Sequence, residues 1–394
     1  MRGSPLMDSI RHAARLATLG VATLLAVSSS AEVRSTHVSL DRPSLARALS
    51  AGARTLSGPD GTSAPAIVEA PFAFTAVAAL MPAGSDGELF VRVSADGQVW
   101  SPAKYVPDDE PIAPLDERGR ALPLALDRAS SLYFPKLVGT ARPRFIAFEF
   151  RNAKAAPATV TLHFIDAGST PSRAPRDGGR SGSLTLQDEV PVAHPLKPAI
   201  IRRDAWGARP QKYEYTLTLA GHLAIHHTAG VFDGLAATTE ECAAQMRGIQ
   251  AFHQDSRGWN DIGYSYLICG TGEIFEGRED EDDTTDVWGA HDGFNRGSMS
   301  VSLMGYFHPP YNQVPSEPQL DALVRTFAWM AEIRGIDPLD ASLYQAFGGV
   351  QTNIYGHREV RATECPGDIL FALKDTVRAR VAEALSVFRD PALR

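Results

Sequence analysis

The 394-residue sequence predicts an α/β protein: a C-terminal domain with a mixed central sheet flanked by helices, preceded by a small β-sandwich-like domain. Its length suits two or three domains. Residues 169–183, rich in Ser, Pro, Gly and Arg, cannot bury a core and read as a flexible tether. Upstream of the tether the apolar pattern has period two, whereas downstream it mixes periods of two and 3.6. The resulting segmentation is 1–31, 32–71, 72–168, 169–198 and 199–394.

The first segment reads as an export signal. Arg2, Arg11 and Arg15 precede an uncharged run from Leu16 to Ala31, closed by Ser28, Ser29, Ser30 and Ala31. That run is shorter than the roughly 20 apolar residues a membrane span needs, and small residues suit signal cleavage. An uncleaved membrane anchor is the alternative, and no later stretch is apolar enough to span. The working compartment is therefore secreted or periplasmic, where disulfides persist. Residues 32–71 are Ala/Ser/Gly-rich and read as a disordered or linker segment.

In 72–168 the strand signals are Phe72–Val77, Leu89–Ser94, Phe145–Phe150 and Thr159–Phe164. Asp96-Gly97 suggests a hairpin returning through Val99-Trp100. No cluster of catalytic residue types occurs there, and His163 reads as a strand residue. In 199–394 the signals alternate. Leu223–His227 is a short strand, and Thr238-Thr239-Glu240-Glu241 offers a capping box for a helix carrying Met246, Ile249 and Phe252. Tyr264–Cys269 and Glu273–Glu276 form a hairpin about Gly270-Thr271-Gly272. Ser298–Phe307 is a further strand, Ser316-Glu317-Pro318 opens a long helix, and a last helix runs from about Gly367 to Val387.

Composition narrows the function classes. Hydrophobic residues at 44% and charged residues at 21% exclude wholesale disorder. Lys+Arg at 38 against Asp+Glu at 46 gives a net charge of −8, which argues against nucleic acid as a partner. Three cysteines cannot form a disulfide scaffold, and the odd count leaves at least one unpaired.

The chemistry concentrates in the last segment, which holds seven of the 11 histidines. Gly356-His357-Arg358-Glu359 is followed by Thr363-Glu364-Cys365-Pro366-Gly367, so an imidazole and a thiol lie eight residues apart across a loop. A third metal ligand suits the His226-His227 pair. Adjacent strand residues face opposite ways, and His227 shares its face with Leu223 and Ile225, so His226 is the residue turned toward a cleft. Two His and one Cys leave zinc a fourth position for water, as in catalytic sites. Unrelated core and surface histidines are the competing interpretation at this level.

Five motifs in order carry a resemblance. They are Arg203-Asp204-Ala205-Trp206-Gly207-Ala208-Arg209-Pro210, Ala224–Gly230, Arg257–Ile268, Gly289-Ala290-His291, and the 356–359 and 363–367 pair. Across roughly Ile200 to Leu373 the chain resembles the peptidoglycan recognition proteins and their relatives, the zinc N-acetylmuramoyl-L-alanine amidases, phage amidase-type lysozymes included. The 72–168 block more weakly resembles the β-rich region that precedes this domain in some bacterial amidases.

The resemblance implies one Zn²⁺ on His226, His357 and Cys365, and hydrolysis of the amide between N-acetylmuramic acid and L-alanine of peptidoglycan. Non-hydrolytic members typically carry Ser where Cys365 stands, and a non-hydrolytic wall-binding receptor is the rival function. The family's catalytic tyrosine falls on Tyr264. Thr363 occupies the position that phage enzymes fill with Lys, as in the catalytic recognition proteins. A related amidase branch uses a glutamate on a central strand, but Ser300–Met304 supplies no carboxylate. His291, Asn295 and Trp259 are candidate substrate contacts, each with a packing role as the alternative. His227 and His253 read as structural.

With Cys365 assigned to metal, Cys242 and Cys269 are left as a disulfide pair or as two buried free thiols; family disulfides nearby usually differ in spacing. The Glu279–Asp283 run reads as a solvated loop without the spacing of a calcium loop. It replaces a Gly-Trp segment that many members use to read the stem peptide, which leaves peptide preference open.

Overall fold

The computed structural model describes residues 32–55, 65–109, 128–136, 141–155, 157–170, 194–233, 236–278, 286–289 and 293–390. Residues 1–31, read above as an export signal, most of residues 169–198, read as a tether, the Glu279–Asp283 run and His291 lie outside the described residues.

The N-terminal block is built from nine strands and one helix. In chain order these are β1 (Arg34–Leu40), α1 (Arg42–Thr55), β2 (Ala66–Glu69), β3 (Ala76–Met81), β4 (Glu88–Ser94), β5 (Lys104–Val106), β6 (Arg128–Ala129), β7 (Tyr133–Phe134), β8 (Phe145–Arg151) and β9 (Val160–Asp166). One sheet runs β1-β9-β3-β7, with β6 on the flank of β3, and the other runs β2-β8-β4-β5. Val77, Ala79, Leu162 and Phe164 from the first sheet meet Leu89, Val91, Ile146 and Phe148 from the second in one buried core.

Three expectations are corrected here. Residues 32–71 are not simply a linker, because Arg34–Leu40 pairs in register with Val160–Asp166 and Leu45 and Ala48 of α1 enter the core. The strand expected at Phe72–Val77 begins at Ala76 instead. The partner of β4 is Lys104–Val106 and not Val99-Trp100, because the Asp96 carboxylate accepts from the Gln98 and Val99 backbone N–H groups and holds those residues in a turn.

The C-terminal block adds β10 (Ile200–Ile201), α2 (Arg203–Trp206), β11 (Leu217–Thr218), β12 (His222–His227), β13 (Val231–Phe232), α3 (Thr239–Ala251), β14 (Tyr266–Ile268), β15 (Ile274–Glu276), β16 (Asp286–Val287) and β17 (Ser298–Leu303). It ends with α4 (Glu317–Arg334), β18 (Ala341–Tyr344), β19 (Gly349–Thr352), β20 (Ile354–Gly356), α5 (Asp368–Ala372) and α6 (Lys374–Arg389). The central sheet is mixed, in the order β10-β15-β14-β17-β12-β20, with only the β14–β15 hairpin antiparallel. Helices α4 and α6 cover one face, where Leu223, Ile225, Val301 and Leu303 meet Leu323, Phe327, Val381 and Leu385.

Local signals explain several boundaries. Ser316 accepts from Gln319 N while the Gln319 side chain accepts from Ser316 N, a reciprocal cap for α4. Thr238 caps α3 through Glu241 N. The β17 strand stops at Leu303, short of the expected Phe307, and the expected last helix is broken at Leu373 into α5 and α6.

The two blocks share a core. Strand β3 is buried on both faces, so its sequence Ala-Val-Ala-Ala-Leu-Met does not alternate. Ala76 and Ala78 turn away from the sandwich and pack with Cys242, Met246 and Ile249 of α3. Gly248 permits that approach, since a Cβ there would lie 2.8 Å from the Phe134 ring. Strand β13 extends the first sandwich sheet by pairing with β7, and the Phe134 and Phe232 rings stack at 4.8 Å. Buried Arg247 of α3 donates to the Ala167 carbonyl and to Thr170 across the same junction.

Cys242 and Cys269 form a disulfide with Cα atoms 5.9 Å apart, tying α3 to the end of β14. It closes a loop with a sequence separation of 27. Replacing both cysteines with serine is expected to lower unfolding stability by roughly 3.5 kcal/mol on the chain-entropy scale. Urea melts of the oxidised protein and the variant measure the difference, and equal midpoints would refute it.

Candidate metal centre

Three elements converge at the C-terminal ends of the parallel strands. His226 sits near the end of β12, on the face opposite Leu223 and Ile225, as alternation requires. His357 follows directly on β20 and opens a 3₁₀ turn, His357–Glu359. That turn is anchored because the Glu359 carboxylate accepts from Gly356 N at 2.8 Å and pairs with Lys374 at 2.7 Å. Cys365 lies in the following loop. Its backbone N–H donates to Thr363 Oγ1 at 3.1 Å, and its carbonyl accepts from Arg358 N at 2.9 Å. Gly367 completes the loop with φ +89°, where a Cβ would lie 2.5 Å from the Phe307 carbonyl oxygen.

The ligand-type atoms of His226, His357 and Cys365 all lie within 4.8 Å of one another, and all three residues are buried. Cys365 Sγ is 3.3 Å from His226 Nδ1, and the His226 and His357 ring centroids are 4.6 Å apart. A thiolate and two neutral imidazoles with convergent donor atoms form a borderline-soft set that fits Zn²⁺, with a fourth tetrahedral position left for another ligand.

Tyr264 stands beside this cluster. Its ring centroid is 5.4 Å from that of His226, and its hydroxyl donates to the His227 carbonyl at 3.3 Å. The His227 ring points to the other face, near Tyr306 and Phe307. Thr363 acts on the loop itself, as the hydroxyl that receives the Cys365 N–H.

The proposed substrate contacts are distributed differently. Trp259 packs on His253 at 4.4 Å, and buried His253 accepts from Gly263 N through Nδ1 at 3.1 Å. Burial first, and then the Arg278 cation, push the His253 imidazole down to about 3, so it serves as a neutral acceptor. Asn295 is buried just before β17, whose first residue Ser298 pairs with His222, four residues along β12 from His226. At roughly 3.3 Å per residue Ser298 lies about 13 Å along the strand direction from the level of His226.

Sequence reasoning named Arg257, Arg358 and Glu359 only as members of motifs and missed their ion-pair partners. Arg358 clamps the loop through ion pairs with Asp368 at 2.7 Å and Glu364 at 3.7 Å. Glu359 was legible as part of the 356–359 motif, whereas its Lys374 partner carried no signal. Arg257, 3% exposed, forms an ion pair with Asp109 of the N-terminal block, a contact no local pattern announces.

Comparison with known proteins locates this site within a recognised family. Residues 220–368 match the family model described as N-acetylmuramoyl-L-alanine amidase. Peptidoglycan-recognition protein LB of Drosophila melanogaster is 36% identical over 175 residues, covering 44% of this chain and 66% of the relative. Peptidoglycan-recognition protein SC2 of Drosophila simulans is 34% identical over 174 residues, covering 44% of this chain and 82% of the relative. The N-acetylmuramoyl-L-alanine amidase of Homo sapiens is 34% identical over 202 residues, 48% of this chain but only 31% of that protein. A solved structure of the Drosophila LB protein aligns over 44% of this chain and 91% of its own length, with 36% identity and a TM-score of 0.36.

Proposed function

This chain belongs to the peptidoglycan-recognition protein family, and we propose from that premise that it is an exported, zinc-dependent N-acetylmuramoyl-L-alanine amidase acting on peptidoglycan. The observation that carries the hydrolytic reading is the intact set His226, His357 and Cys365 beside Tyr264. A non-hydrolytic receptor needs no buried thiol placed against two imidazoles.

Zinc held by those three side chains would polarise the lactyl carbonyl and lower the pKa of a water molecule. The chain's own groups supply the rest. The Tyr264 phenol turns from the His227 carbonyl toward the reacting amide, where it orients water or donates to the developing oxyanion. Thr363 keeps Cys365 in place and offers a neutral hydroxyl where a cation stands in the phage enzymes. Positions 300 and 302 are serines, so β17 provides no carboxylate base, and proton transfer falls to Tyr264 and the attacking water. Water adds to the carbonyl carbon, the C–N bond breaks, and the L-alanine nitrogen leaves with the proton that water gives up.

Export is supported by the Cys242–Cys269 disulfide, which persists in oxidising compartments. Among the described residues no helix is long and apolar enough to cross a membrane. The deciding experiment is digestion of purified sacculi by the zinc-loaded protein, with mass analysis of the products. Stem peptides with a free L-alanine amine are expected. Binding to sacculi without peptide release, under conditions where a control amidase works, would favour the receptor reading instead.

A further inference from the structure

The loop from Arg257 to Tyr264 delivers the phenol to the metal cluster, and it is pinned at several points. From its own block, His253 accepts from Gly263 N, Arg278 Nε donates to the Ile262 carbonyl at 2.8 Å, and buried Asp261 accepts from Arg203 at 2.7 Å and Gln250 at 2.6 Å. The pin at the Arg257 end comes from the other block. Arg257 is a buried guanidinium over the Phe252 ring at 5.0 Å, within electrostatic reach of Tyr264, and its ion-pair partner is Asp109.

Asp109 is itself fixed. Its backbone N–H donates to the Ala129 carbonyl at 2.8 Å, and the neighbouring Asp108 forms a bridge with Ser130. Burial lowers the Arg257 guanidinium to about 9, which leaves it charged at neutral pH and in need of a counter-ion.

We propose that Asp109 is a positioning residue for the amidase reaction: the β-rich block supplies the counter-charge that holds Arg257, and through Arg257 the Tyr264 loop. The block is then a structural half of the catalytic unit and not merely a tethered binding module. This inference rests on the hydrolytic reading above for its kinetic consequences, but not for its structural ones.

The test uses the full-length protein with Asp109→Asn, Asp109→Glu and the double variant Asp109→Asn with Arg257→Met. A muramyl peptide serves as the kinetic substrate. Asp109→Asn should lower kcat roughly 10- to 100-fold with KM changed less than about threefold, as expected for a displaced catalytic group. Asp109→Glu should recover most of that loss. Metal-free Asp109→Asn should also show faster amide exchange at Ile262, Gly263 and Tyr264.

If Asp109→Asn fails to fold, the double variant removes the uncompensated charge and carries the test. A folded double variant that keeps the kcat defect supports the proposal. Wild-type kcat in either folded variant, or unchanged exchange in the 262–264 segment, overturns it. Should the wild-type protein release no peptide, the hydrolytic reading fails, and the exchange measurement alone still decides whether Asp109 holds the loop.

Discussion

Cys365→Ser is expected to eliminate stoichiometric zinc and to lower turnover by roughly 1,000-fold or more, while the protein stays folded. Removing the metal's contribution sacrifices several kcal/mol of transition-state stabilisation, and each 1.36 kcal/mol is a factor of ten. A serine hydroxyl does not replace the thiolate, because it stays protonated at neutral pH and is a harder, neutral donor. The fold should survive because the loop is held by contacts that do not involve Sγ. These are Arg358 N to the Cys365 carbonyl, Cys365 N to Thr363, and the Arg358–Asp368 ion pair. Metal content by elemental analysis, with a thermal melt and sacculus binding as controls, separates loss of metal from loss of structure. Retained sacculus binding is expected, since the substitution changes one buried side-chain atom and leaves the residues around the cluster in place. A variant that keeps zinc and turnover would remove Cys365 from the ligand set.

The features legible in the sequence are those that short-range chemistry imposes. The α4 boundary is written in Ser316 and Gln319, three residues apart, and His226 is separated from His227 by strand alternation alone. The convergence of His226, His357 and Cys365 was legible because His357 and Cys365 sit in short motifs around one loop and His226 is singled out by strand alternation. Illegible features depend on partners far along the chain. Strand β1 exists because Arg34–Leu40 finds β9 more than a hundred residues later, so an Ala/Ser-rich neighbourhood suggested disorder. Ala76–Met81 was misplaced because a strand buried on both faces has no alternation to read. The tether between the blocks suggested independence, yet α3 uses β3 and β9 as a wall. Asp109 could not have been singled out, since nothing around it marks the counter-ion of an arginine 148 positions away.

Tyr264→Phe is expected to lower kcat by roughly 100- to 1,000-fold, with zinc content and fold unchanged. That range is typical for removing one hydrogen-bond donor from a developing oxyanion. The structural cost should be small. The hydroxyl makes a long 3.3 Å bond to the His227 carbonyl, and a phenylalanine ring preserves the contacts with His226 and His253. Losing one such bond at a half-buried position costs about 1 kcal/mol or less. A melting curve close to wild type, together with a slow variant whose KM moves only a few-fold, would thus assign the phenol to the transition state. Unchanged kcat would reduce Tyr264 to a packing residue beside the ligands. The same variant sharpens the role of Asp109. If Asp109 acts through the phenol, adding Asp109→Asn to Tyr264→Phe should cost little further kcat, because the group it positions is already gone. Independent, multiplicative losses would mean that the β-rich block reaches the reaction by another route.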